Sequence, residues 1–260
     1  LNTLTDEQLD KLQQYLGGGK ENFRRMLDFI RYDIDGKRIN APKPEPPKKL
    51  ERRPFFHIAE EDSFKTYQEY LDWYKKTGRY KENAATVCVL SGNGGGALED
   101  LIGALEQKGM NVVAANGMWN LLPMFEQVKP DLVIYQPHGR LGEKAVELLQ
   151  KYNIPLFCPI KVSQPYEEYL KDQRGMTGGM LSQSVTMPEL DGGAVPFVLS
   201  ALYRNKRGLL EFRTIPDRLE RFAELVRKTT DLKRKPNADK KIAIIYYGSI
   251  GKEAATGGLG

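Results

Sequence analysis

Between Ala85 and Cys158 short apolar runs alternate with helical patterns, and few folds accept that alternation. Thr86–Leu90, Asn111–Ala115, Asp131–Tyr135 and Pro155–Cys158 are apolar at most positions, which predicts strands buried on both faces. Between them, Ala97–Lys108 puts Leu98, Leu101, Ile102 and Leu105 on one helical face and stops at Gly109. A short helix around Leu122–Val128 carries Pro123 in its first turn, and Gly142–Lys151 is a third helix. Strand–helix–strand units cross over right-handed, so the expected fold is α/β. It is a parallel sheet flanked by helices, of the Rossmann or flavodoxin kind. Ligands of such sheets bind beyond the carboxyl ends of the strands. Those ends are Ser91–Gly96, Asn116–Trp119, Gln136–Arg140 and Pro159–Gln164.

The flanking segments read differently. Thr5–Leu16 is a helix that Thr5 can cap, with Leu9, Leu12 and Leu16 as its stripe. After Gly17–Gly19, Glu21–Arg31 places Phe23, Met26, Leu27 and Ile30 on one face, so residues 1–34 are expected to form a helical hairpin. Pro42, Pro44, Pro46 and Pro47, set among Lys and Glu, forbid helix or central strand, so residues 35–57 read as an extended linker. Residues 58–260 are then the α/β domain. Ser63–Lys76 is expected as a helix capped by Ser63, and Pro216–Lys228 as another. A last strand-like run, Lys241–Tyr247, enters the Gly-rich Gly248–Gly260. A parallel strand needs a partner beyond such a loop, and the chain starts at Leu1, so a piece of a longer protein is expected.

Composition narrows the functional classes. The net charge of +5, from 39 basic and 34 acidic residues, is dispersed apart from Lys48–Arg53 and Lys233–Lys235. No basic stripe interleaved with aromatics points to nucleic acid. No apolar run approaches the ~20 residues of a membrane span. Cys88 and Cys158, the two cysteines, fall in apolar runs and read as core thiols of a reducing, cytoplasmic compartment.

Three stretches carry candidate chemistry. Gly92-Asn-Gly-Gly-Gly-Ala97 has the dinucleotide spacing after a strand, but Asn116-Gly117 offers no acidic group for a ribose, so a tight packing turn is the better reading. Gln136-Pro-His-Gly-Arg140 puts His138 at a ligand-facing end, able to exchange protons or to sit axial to a ring-bound metal. The other histidine, His57, reads as structural. Met187-Pro-Glu-Leu-Asp-Gly-Gly193 follows a Gly-rich loop, Gly175–Gly179, and a Ser/Thr-rich run expected to be extended. Pro188 pushes Met187 toward extended geometry, which would point Glu189 and Asp191 to one side. The plainer reading is an ordinary turn built on Asp191-Gly192.

The run Ser182-Gln-Ser-Val-Thr-Met-Pro-Glu-Leu-Asp-Gly-Gly193 resembles the signature of the large tetrapyrrole-binding subunits of metal chelatases, the CobN/magnesium chelatase family. Tyr15-Leu-Gly-Gly-Gly-Lys-Glu-Asn22, Phe56-His57, Tyr70-Leu-Asp-Trp73-Tyr74 and Leu232-Lys-Arg-Lys-Pro-Asn237 are similar to family segments in the same order, with Ile58 where the family has Pro. The resemblance implies insertion of a divalent metal (cobalt first, otherwise magnesium or iron) into a corrin or porphyrin ring. It implies ATP and Mg on separate AAA+ partner subunits, and no cofactor or metal held by this piece itself.

Metal insertion displaces two pyrrole N–H protons, so an acid–base group must stand near the ring centre. Glu189 is the candidate acceptor, since a partly buried carboxylate can be raised toward neutrality. His138 is the second catalytic candidate. Gln136, Arg140, Gln183, Asp191 and Gly192 are the candidate ring contacts, Arg140 through a peripheral carboxylate and Asp191 as brace of its turn. The family's loop at His138 is usually apolar or hydroxyl-bearing, so the histidine points to a haem-handling branch that removes or moves iron. A non-catalytic tetrapyrrole-binding module is the remaining alternative.

Overall fold

The computed structural model describes residues 4–16, 19–39, 41–48, 53–91, 96–116, 121–136 and 138–243. It divides into two compact units, Leu1–Arg53 and Pro54–Gly260.

The first unit is a helical hairpin, α1 (Asp6–Leu16) and α2 (Gly19–Phe29). Thr5 caps α1 as expected, with reciprocal bonds between Thr5 and Gln8. The apolar faces differ from expectation. Tyr15, Met26 and Phe29 form the small core, while Leu16, Phe23 and Leu27 are exposed. The proline-rich segment is the cause. Prolines cannot donate, but their carbonyls still need donors. Tyr15 Oη donates to the Glu45 carbonyl (2.7 Å), Arg25 to Pro46 (2.8 Å) and Asn22 Nδ2 to Lys48 (2.8 Å). Those bonds turn Asn22 and Arg25 inward. The segment is therefore extended, and strapped to its own hairpin.

The second unit opens with β1 (Phe55–Phe56), a strand inside the stretch expected as linker. Phe64 bridges back to Phe55, which keeps the chain extended to Thr66. Helix α3 (Tyr67–Lys76) thus starts four residues after the expected Ser63, and Thr66 makes its capping box with Glu69. The chain then alternates β2 (Thr86–Ser91), α4 (Gly96–Gln107), β3 (Asn111–Asn116), α5 (Leu121–Val128), β4 (Leu132–Tyr135), α6 (Glu143–Lys151) and β5 (Leu156–Phe157).

Among the described residues the main sheet has six strands, in the order β1-β3-β2-β4-β5-β7, where β7 is Gly193–Ala194. β1 is antiparallel to β3, and the other pairs are parallel. The strand order reverses between β2 and β4, so the chain-end crevice lies beyond Ser91 and Tyr135. Alternation along β2 sorts the two cores. Cys88 and Leu90 pack with Tyr70, Tyr74, Met124, Phe125 and Leu149 of α3, α5 and α6. Val87 and Val89 pack with Leu101, Leu105, Phe222 and Val226 on the other face.

Several expectations are corrected after β5. Pro159–Gln164, expected as a ligand-facing loop, contains β6 (Ile160–Pro165) of a second, three-stranded sheet. It pairs in parallel with β8 (Val198–Arg204), and β8 pairs antiparallel with β9 (Leu210–Thr214). Between β6 and β7 run α7 (Tyr166–Lys171), α8 (Gly178–Leu181), a π-helical turn over Ser182–Thr186, and α9 (Met187–Leu190). Thus Ser182–Met187 is helical, not extended, and the loop at Gly175–Gly179 is helix from Gly178. Met187 has φ −65° and ψ −44° despite the following proline. The final α10 (Pro216–Arg234) runs past the expected end at Lys228, and Lys233 donates to the Asp131 carbonyl (3.2 Å). Residues 241–243 form no strand, and 244–260 lie outside the described residues. Among the described residues no helix is long and apolar enough to cross a membrane.

Candidate functional site

Pro188 decides the local geometry. In a π-helical turn the residue-188 amide would donate five residues back, to the Gln183 carbonyl, but proline has none. The Gln183 carbonyl accepts instead from Gly139 N–H, at 3.1 Å. The helical run 178–190 is thereby docked to the loop after β4. Gly139 meets it at φ +96°, with Met187 Sδ 3.8 Å from where a Cβ would sit. Such a φ favours glycine.

A buried ion pair makes the second clasp. The Asp191 side chain is 0% exposed and Arg140's is 45% exposed. Arg140 Nη2 and Nε reach Asp191 Oδ1 at 2.7 and 2.8 Å, and Leu141 N–H donates to Oδ2 at 2.6 Å. Asp191 lies two residues after Glu189, and Arg140 two residues after His138. These three contacts therefore tie the segment of Glu189 to the loop of His138.

The remaining candidates surround these clasps. His138 is exposed, and its backbone N–H donates to Tyr135 Oη at 3.2 Å. Burial raises the Tyr135 phenol above its ordinary range, so Tyr135 stays a neutral post under the loop. The Gln136 side-chain oxygen accepts from Ser91 Oγ at 3.3 Å, which joins the ends of β2 and β4. Gly192 turns the chain at φ +81°. Gly193, read from the motif as a place for a sharp turn or a close approach to a ligand, is instead a packing position. A Cβ there would lie 2.7 Å from the Pro188 carbonyl oxygen and 2.8 Å from Cys158 Sγ. The doubled glycine is the sequence signal for it. Tyr135 carries no such signal beyond ending a strand.

Glu189 is exposed, contrary to the partial burial expected of it. Among the described residues its carboxylate has no ion-pair partner. It shares the run 178–190 with four exposed apolar side chains, Met180, Leu181, Met187 and Leu190, the last 66% exposed. His57 is buried, bonded to Glu106 at 2.9 Å, and remote in role. Gly92–Gly95, Pro137 and Gly117–Trp119 lie outside the described residues. Among the described residues no cluster of three His, Cys, Asp or Glu groups is placed to hold a metal.

The fold is thus an α/β unit with a largely parallel sheet, and the loop after β4 lies beyond that sheet's carboxyl edge. The comparisons are more specific. The model of the CobN/Magnesium Chelatase family matches residues 12–260, and the chain belongs to that family. An uncharacterized protein of Methanocaldococcus jannaschii is 25% identical over 94% of this chain and 22% of its own length. A magnesium-chelatase subunit of Chlorobaculum parvum is 23% identical over 76% of this chain and 17% of its own. The solved catalytic subunit of cobaltochelatase from Mycobacterium tuberculosis shares the fold, with a TM-score of 0.59 at 19% identity, over 92% of this chain and 20% of that one. The chain therefore spans about a fifth of the length of these relatives.

Proposed function

We propose that this chain is the part of a chelatase large subunit that exchanges protons with a tetrapyrrole as a divalent metal enters it. The observation that carries the reading is the exposed Glu189 carboxylate on an apolar helical run, clasped to the loop of His138. Each insertion releases two protons from the ring nitrogens while the cation forms its bonds to them. Glu189 accepts the first and passes it to water. His138, exposed on the adjoining loop, takes the second. A ring lying over Met187 and Leu190 would shield the proton transfer at Glu189 from bulk water. Arg140 and Asp191 act by holding the loop to the helix, so neither is needed on the ring.

Cobalt is the first metal to test, with magnesium and iron as rivals. ATP hydrolysis on separate AAA+ subunits, in the cytoplasm, supplies the work. The exposed imidazole of His138 favours one second reading, in which the same site removes iron from haem and returns protons to the ring. The decisive experiment uses the full-length protein with its partner subunits. Metal-free ring plus cobalt, and haem alone, are followed by absorption. Glu189→Gln is expected to cut insertion at least a hundredfold. Insertion at the native rate in that variant would show that Glu189 is not the proton acceptor, and loss of haem absorbance without insertion would favour iron removal.

A further inference from the structure

Among the described methionines, Met180 and Met187 are exposed, at 39% and 37%, whereas Met26, Met110 and Met124 are buried. The two exposed ones share the helical run 178–190 and differ in what they touch. Met180 lines a concavity against Ile160 and Val162 of β6. Met187 lies on the seam between the run and the loop after β4, its Sδ 3.8 Å from where a Gly139 Cβ would sit.

That seam has no spare hydrogen bond. The Met187 N–H already donates to the Ser182 carbonyl, and Pro188 has no N–H. The run therefore cannot supply a donor to the Gln183 carbonyl in place of Gly139, which reaches it at 3.1 Å. If Gly139 moves off, water is the replacement. A thioether suits this position because it is apolar and adapts its shape to bare backbone. A sulfoxide does not, since it is polar and carries an acceptor oxygen. On Met187 that oxygen would stand on the seam, compete with Gln183 for the Gly139 N–H and draw in water.

We infer that Met187 is a peroxide-sensitive modification site, and that its sulfoxide releases the loop of His138 from the run of Glu189 at Gly139. The oxidant is a small peroxide. Its O–O bond breaks, one oxygen bonds to Sδ, the sulfur is oxidised by two electrons, and the other oxygen leaves as water. The pair of Arg140 and Asp191 is untouched, so the loop loses one of its two attachments. The effect on metal insertion rests on the proposed function, and the loosening does not. Methionine sulfoxide is reduced back by dedicated reductases, so the change is reversible.

The test treats the full-length protein, with its partner subunits, with a small excess of hydrogen peroxide. Peptide mass mapping locates the added oxygen, hydrogen exchange of peptides spanning Gly139 reports opening, and absorption follows insertion. Met180 and Met187 should oxidise before the buried methionines. Exchange at Gly139 should quicken at least tenfold, insertion should fall at least tenfold, and methionine sulfoxide reductase should reverse both. Met187→Leu, compared with its own untreated sample, should hold both readouts within about twofold, while Met180→Leu should respond as wild type does. Met187→Gln, a polar mimic, should show the faster exchange with no peroxide, in a chain whose circular dichroism is native. Unchanged exchange in protein shown to carry Met187 sulfoxide would overturn the inference, as would equal sensitivity of Met187→Leu. Faster exchange with insertion unchanged would uphold the modification and remove the seam from the reaction. If untreated wild type inserts no metal, the proposed function falls, and exchange at Gly139 still decides this inference.

Discussion

Asp191 and Glu189 sit two residues apart and do opposite things. Asp191 is buried and takes charge-assisted hydrogen bonds from Arg140 and from Leu141 N–H. Removing its charge leaves a buried amide facing a guanidinium. Arg140 is half exposed and can turn to water, which limits the damage. Asp191→Asn should therefore cost about 2 kcal/mol of unfolding free energy. Glu189→Gln breaks no ion pair among the described residues and should change it by less than about 0.5 kcal/mol. Urea denaturation of the two variants separates a clasp from a reagent. Equal losses would mean that Glu189 is a structural group. The neighbouring glycines make the same contrast. Gly193→Ala would drive a methyl into the Pro188 carbonyl and Cys158 Sγ, for roughly 1–3 kcal/mol of overpacking. Gly192→Ala meets open space and carries only the left-handed backbone cost, of about 1 kcal/mol. Cys158 itself is inert for the same reason that Gly193 is required. Burial, reinforced by the Asp191 charge, pushes its thiol up to about 12, so neither it nor buried Cys88 should react with a thiol reagent at pH 8 until urea unfolds the chain.

Elements with continuous apolar runs are legible in the sequence, and those held by exceptions are not. Val87 to Leu90 can only be a strand covered on both faces, and α4 announces its buried stripe through Leu98, Leu101, Ile102 and Leu105. β8 and β9 carry Arg204, Glu211 and Arg213 and are half exposed, so no alternation marks them. The run Ser182–Met187 reads as extended because it is rich in Ser and Thr and because Pro188, considered alone, argues for extended backbone at Met187. Its missing hydrogen bond is absorbed by a π-helical turn and by Gly139, a partner distant in sequence. The candidate site is legible as two separate motifs, and their union through Arg140 and Asp191 is not. At α3 the cap escapes the sequence for a related reason, since the Phe55–Phe64 bridge delays the helix to Thr66. Thr66→Ala removes one half of the capping box and should lower stability by about 1 kcal/mol in a denaturant titration. No loss there would contradict this boundary.

Titration of the whole molecule should be lopsided in its response to salt. Glu21, Asp172 and Glu224 are each held down to about 2 by arginine or amide donors. Their folded values lie below the unfolded ones, so their contribution is complete above about pH 5 and is lost as pH falls toward 2. The two thiols and the phenols of Tyr70 and Tyr74 are displaced upward, chiefly by burial. Here the folded values lie above the unfolded ones. Their contribution is complete below about pH 8 and is lost as the unfolded chain ionises above it. The urea midpoint should thus be flat from about pH 5 to 8 and fall on both sides. The acid arm comes from surface ion pairs, which added salt screens, so it should flatten in about 1 M NaCl. The alkaline arm comes from groups packed against β2 and β3, where Tyr70 Oη donates to the Val112 carbonyl at 2.6 Å, and salt should leave it in place. Tyr74→Phe should weaken the alkaline arm, and because Tyr74 Oη donates to Glu106 at 2.7 Å and helps hold that carboxyl down, it should also trim the acid arm. An alkaline arm that vanished in salt, or survived unchanged in that variant, would show that burial around α3 is not its source.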